Sequence, residues 1–179
     1  MSDGMRKEKA ERFARLMAEA RDLGLEVREV DSTKPWGGYI RFRRASLGSF
    51  LAAYWRGIQV RDADLDLDAK LLLVAPRHRL SLQSHARRSE LWRVLEGPAV
   101  VSMGPSENEL DQRLVRPGKV VTLPCGWVHR VSAPDNGWAI LAEFWQHEDP
   151  ADPSDENDII RYEDDYGRAV NGDGAGSST

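Results

Sequence analysis

Four side chains with metal-type chemistry fall in two short segments, Gln83-x-His85-x4-Glu90 and Pro124-x-Gly126-x2-His129. Two imidazoles, a carboxylate and an amide oxygen are donors that hold first-row divalent ions and leave positions open for water or substrate. If Leu80 to Gln83 and Leu91 to Leu95 form neighbouring strands, Gln83 and His85 project to one face, and Glu90 returns on the next strand. Each residue also has a plainer reading. A lone histidine is commonly core packing, Glu90 could pair with Arg88 or Arg93, and Pro124 and Gly126 are turn residues. The ordered combination carries more information than any of its members.

The surrounding elements are legible from pattern. Residues 5–23 space Phe13, Leu16, Met17, Ala20 and Leu23 as an amphipathic helix, with Gly24 where a C-terminal cap belongs. Such a helix packs on its own domain or on a partner subunit. Leu25 to Val30 suits a short strand, Lys34-Pro35-Trp36-Gly37-Gly38-Tyr39 reads as a loop, and Leu47 to Arg56 as a second helix. From Leu71 onward the texture changes to short apolar runs: 71–74, 80–82, 91–95, 99–103, 120–123, 128–131 and 138–145. Gly and Pro punctuate them, which predicts an antiparallel sandwich or barrel. The small, polar end, 172–179, is expected to be disordered.

The chain has 179 residues, 41% hydrophobic and 30% charged, enough for one cored domain. One cysteine, Cys125, excludes an intrachain disulfide or a thiolate cluster. No run is long enough for a membrane span, and no signal-like segment opens the sequence, so a cytoplasmic protein is expected. A net charge of −4 argues against nucleic-acid binding. The charge is uneven. Five arginines and one acid lie between Arg77 and Arg93, whereas nine acids and one base lie between Glu148 and Asp165. A small anion could sit near the first segment. The second reads as a solvated surface.

The two ligand segments resemble the paired motifs of the cupin superfamily, a small double-stranded β-helix barrel. Gly97 closes the first motif, and Gly118 to His129 fits the second. Gln83 stands where most cupins have a histidine, Arg77 where a glycine is usual, and Ala133 where an asparagine is common. A narrower likeness accounts for the glutamine. The chain is similar to the type II mannose-6-phosphate isomerase domain, often the C-terminal part of bifunctional mannose-1-phosphate guanylyltransferases. Small stand-alone forms of it are sometimes labelled phosphoheptose isomerases. Four blocks carry the likeness: Lys34 to Tyr39; Leu80 to His85 with Glu90 and Trp92; Pro124 to Arg130; and Asp158 to Arg168. Departures are Ala86 and Arg87, where histidines often follow the ligand, an insert around Phe50 to Trp55, and a longer acidic segment from Gln146 to Asp158. The nucleotidyltransferase domain and its Gly-rich loop are absent, so no guanylyltransferase activity is implied.

The resemblance implies an all-β cupin jelly roll with an N-terminal helix and a short helical insert. The lead-in is residues 1–33, the barrel 34–168 and a disordered tail 169–179. Gln83, His85, Glu90 and His129 would hold one divalent ion, with Zn, Mn, Co, Ni and Fe undistinguished. The activity implied is sugar-phosphate aldose–ketose isomerisation, with Glu90, Arg161 and Arg168 as catalytic candidates and Lys34, Trp36, Arg88 and Trp127 as substrate-binding ones. The general base stays open among Glu90, Glu143 and His147. Arg130, next to His129 on a strand, should point away from the site, and Arg161 and Arg168 could instead pair with Asp158, Asp164 or Asp165. A homodimer with a small-molecule substrate, and no nucleic-acid or membrane partner, is expected. The competing readings are a non-catalytic cupin that binds a sugar or nucleotide sugar, an iron-dependent dioxygenase, and a metal-free epimerase.

Overall fold

A computed structural model describes residues 2–56 and 69–171. The acidic stretch 62–68 and the end of the chain from 172, expected to be disordered, lie outside the described residues. Helix α1 (Asp3–Asp22) leads into strands β1 (Val27–Asp31) and β2 (Gly37–Phe42), a short helical turn and helix α2 (Leu47–Tyr54). Then come β3 (Ala69–Val74), β4 (Leu82–Ser84), β5 (Arg88–Glu96), β6 (Ala99–Gly104) and β7 (Asp111–Val115). The last four are β8 (Val120–Leu123), β9 (Val128–Ser132), β10 (Ala139–His147) and β11 (Ile160–Glu163). They form two antiparallel sheets, β1-β2-β3-β10-β5-β8 and β11-β4-β9-β6-β7. This is the all-β architecture the resemblance implies.

The alternation of side chains divides the core in two. Leu72, Val74, Trp92, Val94, Val121, Val131 and Leu141 fill the space between the sheets. Leu71, Leu73, Leu91, Ile140 and Phe144 face the other way, where α1 and α2 cover the larger sheet with Phe13, Leu16 and Phe50. β3 and β10 are therefore buried on both faces throughout, which is why their sequences read as continuous apolar runs. Each fully buried Phe or Leu of α1 contributes about 1.5–3 kcal/mol. Arg12 and Arg15 fasten the same helix to Glu96 at the end of β5. The apolar stripe of α1 thus packs on its own barrel. Gly24, at φ 70°, ends the helix as expected, and Leu23 is left exposed just beyond it.

Three strands differ from the pattern reading. The Gly37-Gly38 pair read as a loop, yet it opens β2. A Cβ at Gly37 would lie 1.9 Å from the Leu73 carbonyl oxygen, and one at Gly38 2.2 Å from that of Asp31, so the glycines permit close strand approach rather than a turn. β7 is almost wholly exposed and has no apolar signature. β11, whose residues are all outside the core, pairs with β4 through Ile160↔Ser84 and Arg161↔Gln83. Just past it, the Asn171 amide donates to the Arg161 carbonyl at 2.9 Å, and the Asn171 side chain accepts from the Arg161 amide at 2.9 Å.

Candidate metal centre

His85, Glu90 and His129 converge between the sheets, with one ligand-type atom of each lying within 4.8 Å of the others. Register sets the convergence: Gln83 on β4 faces His129 on β9, and Glu90 on β5 pairs with Leu123 of β8, just before the Pro124–Gly126 turn. Glu90 Oε1 is 3.2 Å from His85 Nε2, and Oε2 is 3.6 Å from His129 Nε2. All three are 2% exposed.

Each imidazole is oriented from behind. His85 Nδ1 donates to the Asp158 carbonyl at 2.5 Å and His129 Nδ1 to the Trp127 carbonyl at 2.9 Å, so both Nε2 lone pairs face the cluster. Burial pushes the His85 imidazole down to about 4 and lowers that of His129 as well, keeping both neutral. Burial alone would raise the Glu90 carboxyl, but the imidazoles of His85 and His129 beside it and the charged, hydrogen-bonded Arg88 guanidinium together hold it below its ordinary value. Glu90 Oε2 and His129 Nε2 are buried without a hydrogen-bond partner among the described residues. Two orphaned ligand-type atoms of the same cluster, beside the second imidazole, that of His85, fit a divalent ion.

Two neighbours qualify the ligand set. Gln83 lies beside the cluster, its amide nitrogen 3.2 Å from His85 Nε2 and its oxygen accepting from Ser81 Oγ at 2.7 Å. Arg88 donates to Glu90 Oε1 at 2.9 Å and approaches His85 Nε2 at 3.1 Å. Its guanidinium stacks on Trp145, 3.6 Å from the ring centre, and donates to Ser154 Oγ and the Asp155 carbonyl. Arg88 is thus a fixed cation 4% exposed, part of the wall that holds the metal-type ligands.

Glu90, Gln83 and Arg88 line a cavity of 180 Å³. Other parts of its wall are Lys34, Trp36, Lys70, Glu143, Arg161 and Arg168. Arg168 is paired, through Nε at 2.8 Å and Nη2 at 2.5 Å, with the carboxylate of Asp164. Arg161 is not. Its Nε is buried without a partner, and among the described residues no ion pair ties it to Asp158, Asp164 or Asp165. Burial, helped by the charge of Arg168, lowers its pKa. The Trp36 indole N–H is also buried without a partner among the described residues. Trp127 packs against the inner core instead of lining this cavity. Arg130 faces away as expected, 2.9 Å from Glu163.

Lys70 and Glu156 carry no sequence signal, and Asp158 is expected from the sequence only as a partner of Arg161 or Arg168, not as the brace of the His85 turn. The acidic run, read as solvated surface, meets the arginine-rich segment. Arg79 pairs with Asp165, Arg87 with Asp152, and Arg88 Nη1 stands 3.8 Å from Asp158. Only the opposite charge excess of the two segments hinted at this.

A double-sheet barrel with a buried His–Glu–His cluster between its sheets is a cupin. Residues 51–164 match the family described as mannose-6-phosphate isomerase C-terminal, and the chain belongs to that family. It is similar to the xanthan biosynthesis protein XanB of Xanthomonas campestris pv. campestris, in strains B100 and ATCC 33913. The identity is 31% over 114 residues, 64% of this chain and 22% of XanB, so the chain spans less than a quarter of these relatives. Among solved structures, vicilin from Corylus avellana (hazelnut) has a TM-score of 0.52 at 16% identity, over 75% of this chain and 34% of that one. CapF with the inhibitor 3-isopropenyl-tropolone has a TM-score of 0.51 at 16% identity, over 76% and 33%. Recombinant oxalate oxidase with glycolate has 0.50 at 18%, over 73% and 58%. These three likenesses concern the fold alone. Among the described residues no helix is long and apolar enough to cross a membrane.

Proposed function

We propose that the chain is a metal-dependent aldose–ketose isomerase of a sugar phosphate, mannose 6-phosphate/fructose 6-phosphate or a close relative, serving nucleotide-sugar or polysaccharide precursor metabolism. The observation that carries this is the shared cavity: Glu90 of the metal-type cluster lines it, and so does Arg161, half-buried, with its Nε buried and without a hydrogen-bond partner among the described residues. A guanidinium binds phosphate through paired N–H donors and keeps its charge. Arg161 is therefore assigned to the phosphate, with Lys34 and Arg168 beside it, and the Trp36 indole N–H to a sugar hydroxyl. At 180 Å³ the cavity is smaller than the roughly 300–1,000 Å³ typical of drug-sized ligands, which suits a monosaccharide phosphate better than a nucleotide sugar.

His85, Glu90 and His129 would hold the ion, with Gln83 as a neighbour. A divalent ion supplies polarisation of the sugar carbonyl and stabilisation of the negative charge that develops on oxygen. Arg88 fixes Glu90 through the hydrogen bond from its Nε to Oε1. The membership in a mannose-6-phosphate isomerase family and the likeness to a xanthan biosynthesis protein support this reading. The test is ketose formation from a panel of mannose, glucose and heptose phosphates, followed by NMR with metal-loaded protein. Conversion of one of them supports the proposal, and inertness to all of them defeats it.

Arg88 favours a second reading, a binding protein without turnover, because its guanidinium already satisfies Glu90 Oε1 and His85 Nε2. Tight, stoichiometric binding of a sugar phosphate or nucleotide sugar with no conversion would support it. We also propose a cytoplasmic homodimer. Because α1 is covered by its own sheet, association would use edge strand β7, where Leu114 is 54% exposed. Light scattering of the purified protein tests this, and a monomer mass refutes it.

A further inference from the structure

Aldose–ketose isomerisation moves a proton between C1 and C2, and a carboxylate committed to a metal and an arginine is a weakened base for that transfer. Three carboxylates line the cavity: Glu90, Glu143 and Glu156. Glu90 is in the metal-type cluster. Glu156 is largely exposed and ion-paired to Lys70 at 2.9 Å and Arg41 at 3.1 Å. Glu143 is 6% exposed, and nothing above employs it. It interrupts the apolar run of β10, directly opposite Trp92 in the β10–β5 register. Trp92 Nε1 donates to its Oε2 at 2.9 Å and Trp145 Nε1 to its Oε1 at 3.3 Å. Lys70 Nζ on β3 stands 4.0 Å away. Two indole donors fix the plane of the carboxylate, and each oxygen keeps a second lone pair for the cavity. His147, the other candidate on β10, has Nδ1 engaged by the Ser154 amide at 3.0 Å and does not line the cavity.

We infer that Glu143 is the catalytic base that carries the proton between C2 and C1. This rests on the isomerase reading above and deepens it. The Glu143 carboxylate takes the proton from C2 of the aldose phosphate. The C2–H electron pair becomes the C1–C2 double bond, and the carbonyl oxygen on C1 takes the negative charge. The hydroxyl proton on O2 passes to O1. The C1–C2 electron pair then takes the proton back from Glu143 at C1, leaving the ketone at C2 and the carboxylate free. No oxidant or reductant enters. Burial, reinforced by the negative charge of Glu90 and opposed by Lys70 and Arg88, pushes the Glu143 carboxyl up to about 8, in the range where a base works near neutrality.

The test compares wild type, Glu143→Gln and Lys70→Met, each metal-loaded, with mannose 6-phosphate in deuterated water. Metal content and affinity for inorganic phosphate are measured alongside. Glu143→Gln is expected to keep the metal and the phosphate affinity and to lose C2 exchange by about 10²- to 10⁴-fold. Lys70→Met leaves Glu143 in place but removes the cation facing it, and should move the acidic limb of the pH–rate profile to higher pH. Exchange at the wild-type rate in Glu143→Gln, or an unmoved limb in Lys70→Met when Glu143→Gln does not fold, overturns the assignment while the isomerase reading stands. Wild type that neither exchanges nor isomerises mannose 6-phosphate or any other hexose or heptose phosphate of the panel defeats that reading and this role together.

Discussion

Asp158 braces His85 from outside the barrel: its main-chain carbonyl accepts from His85 Nδ1 at 2.5 Å, while its carboxylate accepts from the amides of Ala86 and Arg87 at 2.8 and 3.0 Å. Ser154 Oγ adds a third donor at 2.6 Å. The acidic segment therefore shapes the turn that presents the first metal-type imidazole. Asp158→Ala is expected to cost about 2 kcal/mol or more, since hydrogen bonds to charged groups contribute about 1.5–3 kcal/mol each. It should also weaken metal binding about 10- to 100-fold through loss of imidazole orientation. Urea unfolding and calorimetric metal titration would check both.

Arg88 and a bound ion would share Glu90. The guanidinium neutralises Glu90 at 2.9 Å and sits against His85 Nε2 at 3.1 Å. Removing one partner of a buried pair typically costs about 3–5 kcal/mol because the other charge is left uncompensated. Arg88→Met should therefore lower the thermal midpoint sharply in chelator. It should recover more on metal addition than wild type does, because an ion then replaces the lost charge. Equal metal-induced shifts in the two proteins would show that Arg88 and the ion do not share Glu90.

The block from Asp164 to Arg168 should be sensitive to acid. Burial alone would raise the Asp164 carboxyl, but Arg168, through side chain and amide, and the Tyr166 amide hold it below its ordinary value. A carboxylate depressed on folding contributes stability that is fully present above its unfolded value, about 3.9, and is lost as pH falls through the lower folded value. The stability difference between wild type and Asp164→Asn should hold constant above about pH 5 and shrink below about pH 4. Paired denaturant titrations across that range measure it.

His129→Ala removes the imidazole whose Nε2 is buried without a partner among the described residues. Stoichiometric metal binding should be lost while the barrel stays folded, because the deleted ring also relieves an orphaned polar atom. Metal analysis after dialysis, together with circular dichroism, reads both outcomes.

The barrel was legible because its inner strands carry runs that alternate or are buried on both faces, bounded by Gly and Pro. The metal-type cluster was legible because three of its members have distinctive chemistry in motif spacing. β7 and β11 escaped because exposed edge strands carry little apolar pattern. The carboxyl of Glu143 was visible as a lone acid in an apolar run, but its clamp by Trp92 and Trp145 depends on cross-strand register, which local sequence does not encode. Lys70 and Asp158 likewise gain their roles only when distant segments meet. For Arg161 and Arg168 the sequence offered a catalytic role or pairing with nearby acids. Asp164 claims Arg168 and leaves Arg161 unpaired among the described residues.

The central claim is that the His85–Glu90–His129 centre and the cavity beside it isomerise a sugar phosphate. The most direct measurement is C2 proton exchange of mannose 6-phosphate in deuterated water by NMR, with metal-loaded wild type, the same protein in chelator, and Glu90→Gln. The account predicts exchange in the loaded wild type alone. Undiminished exchange in chelator and in Glu90→Gln, or no exchange in loaded, folded wild type with any of the hexose or heptose phosphates, would contradict it.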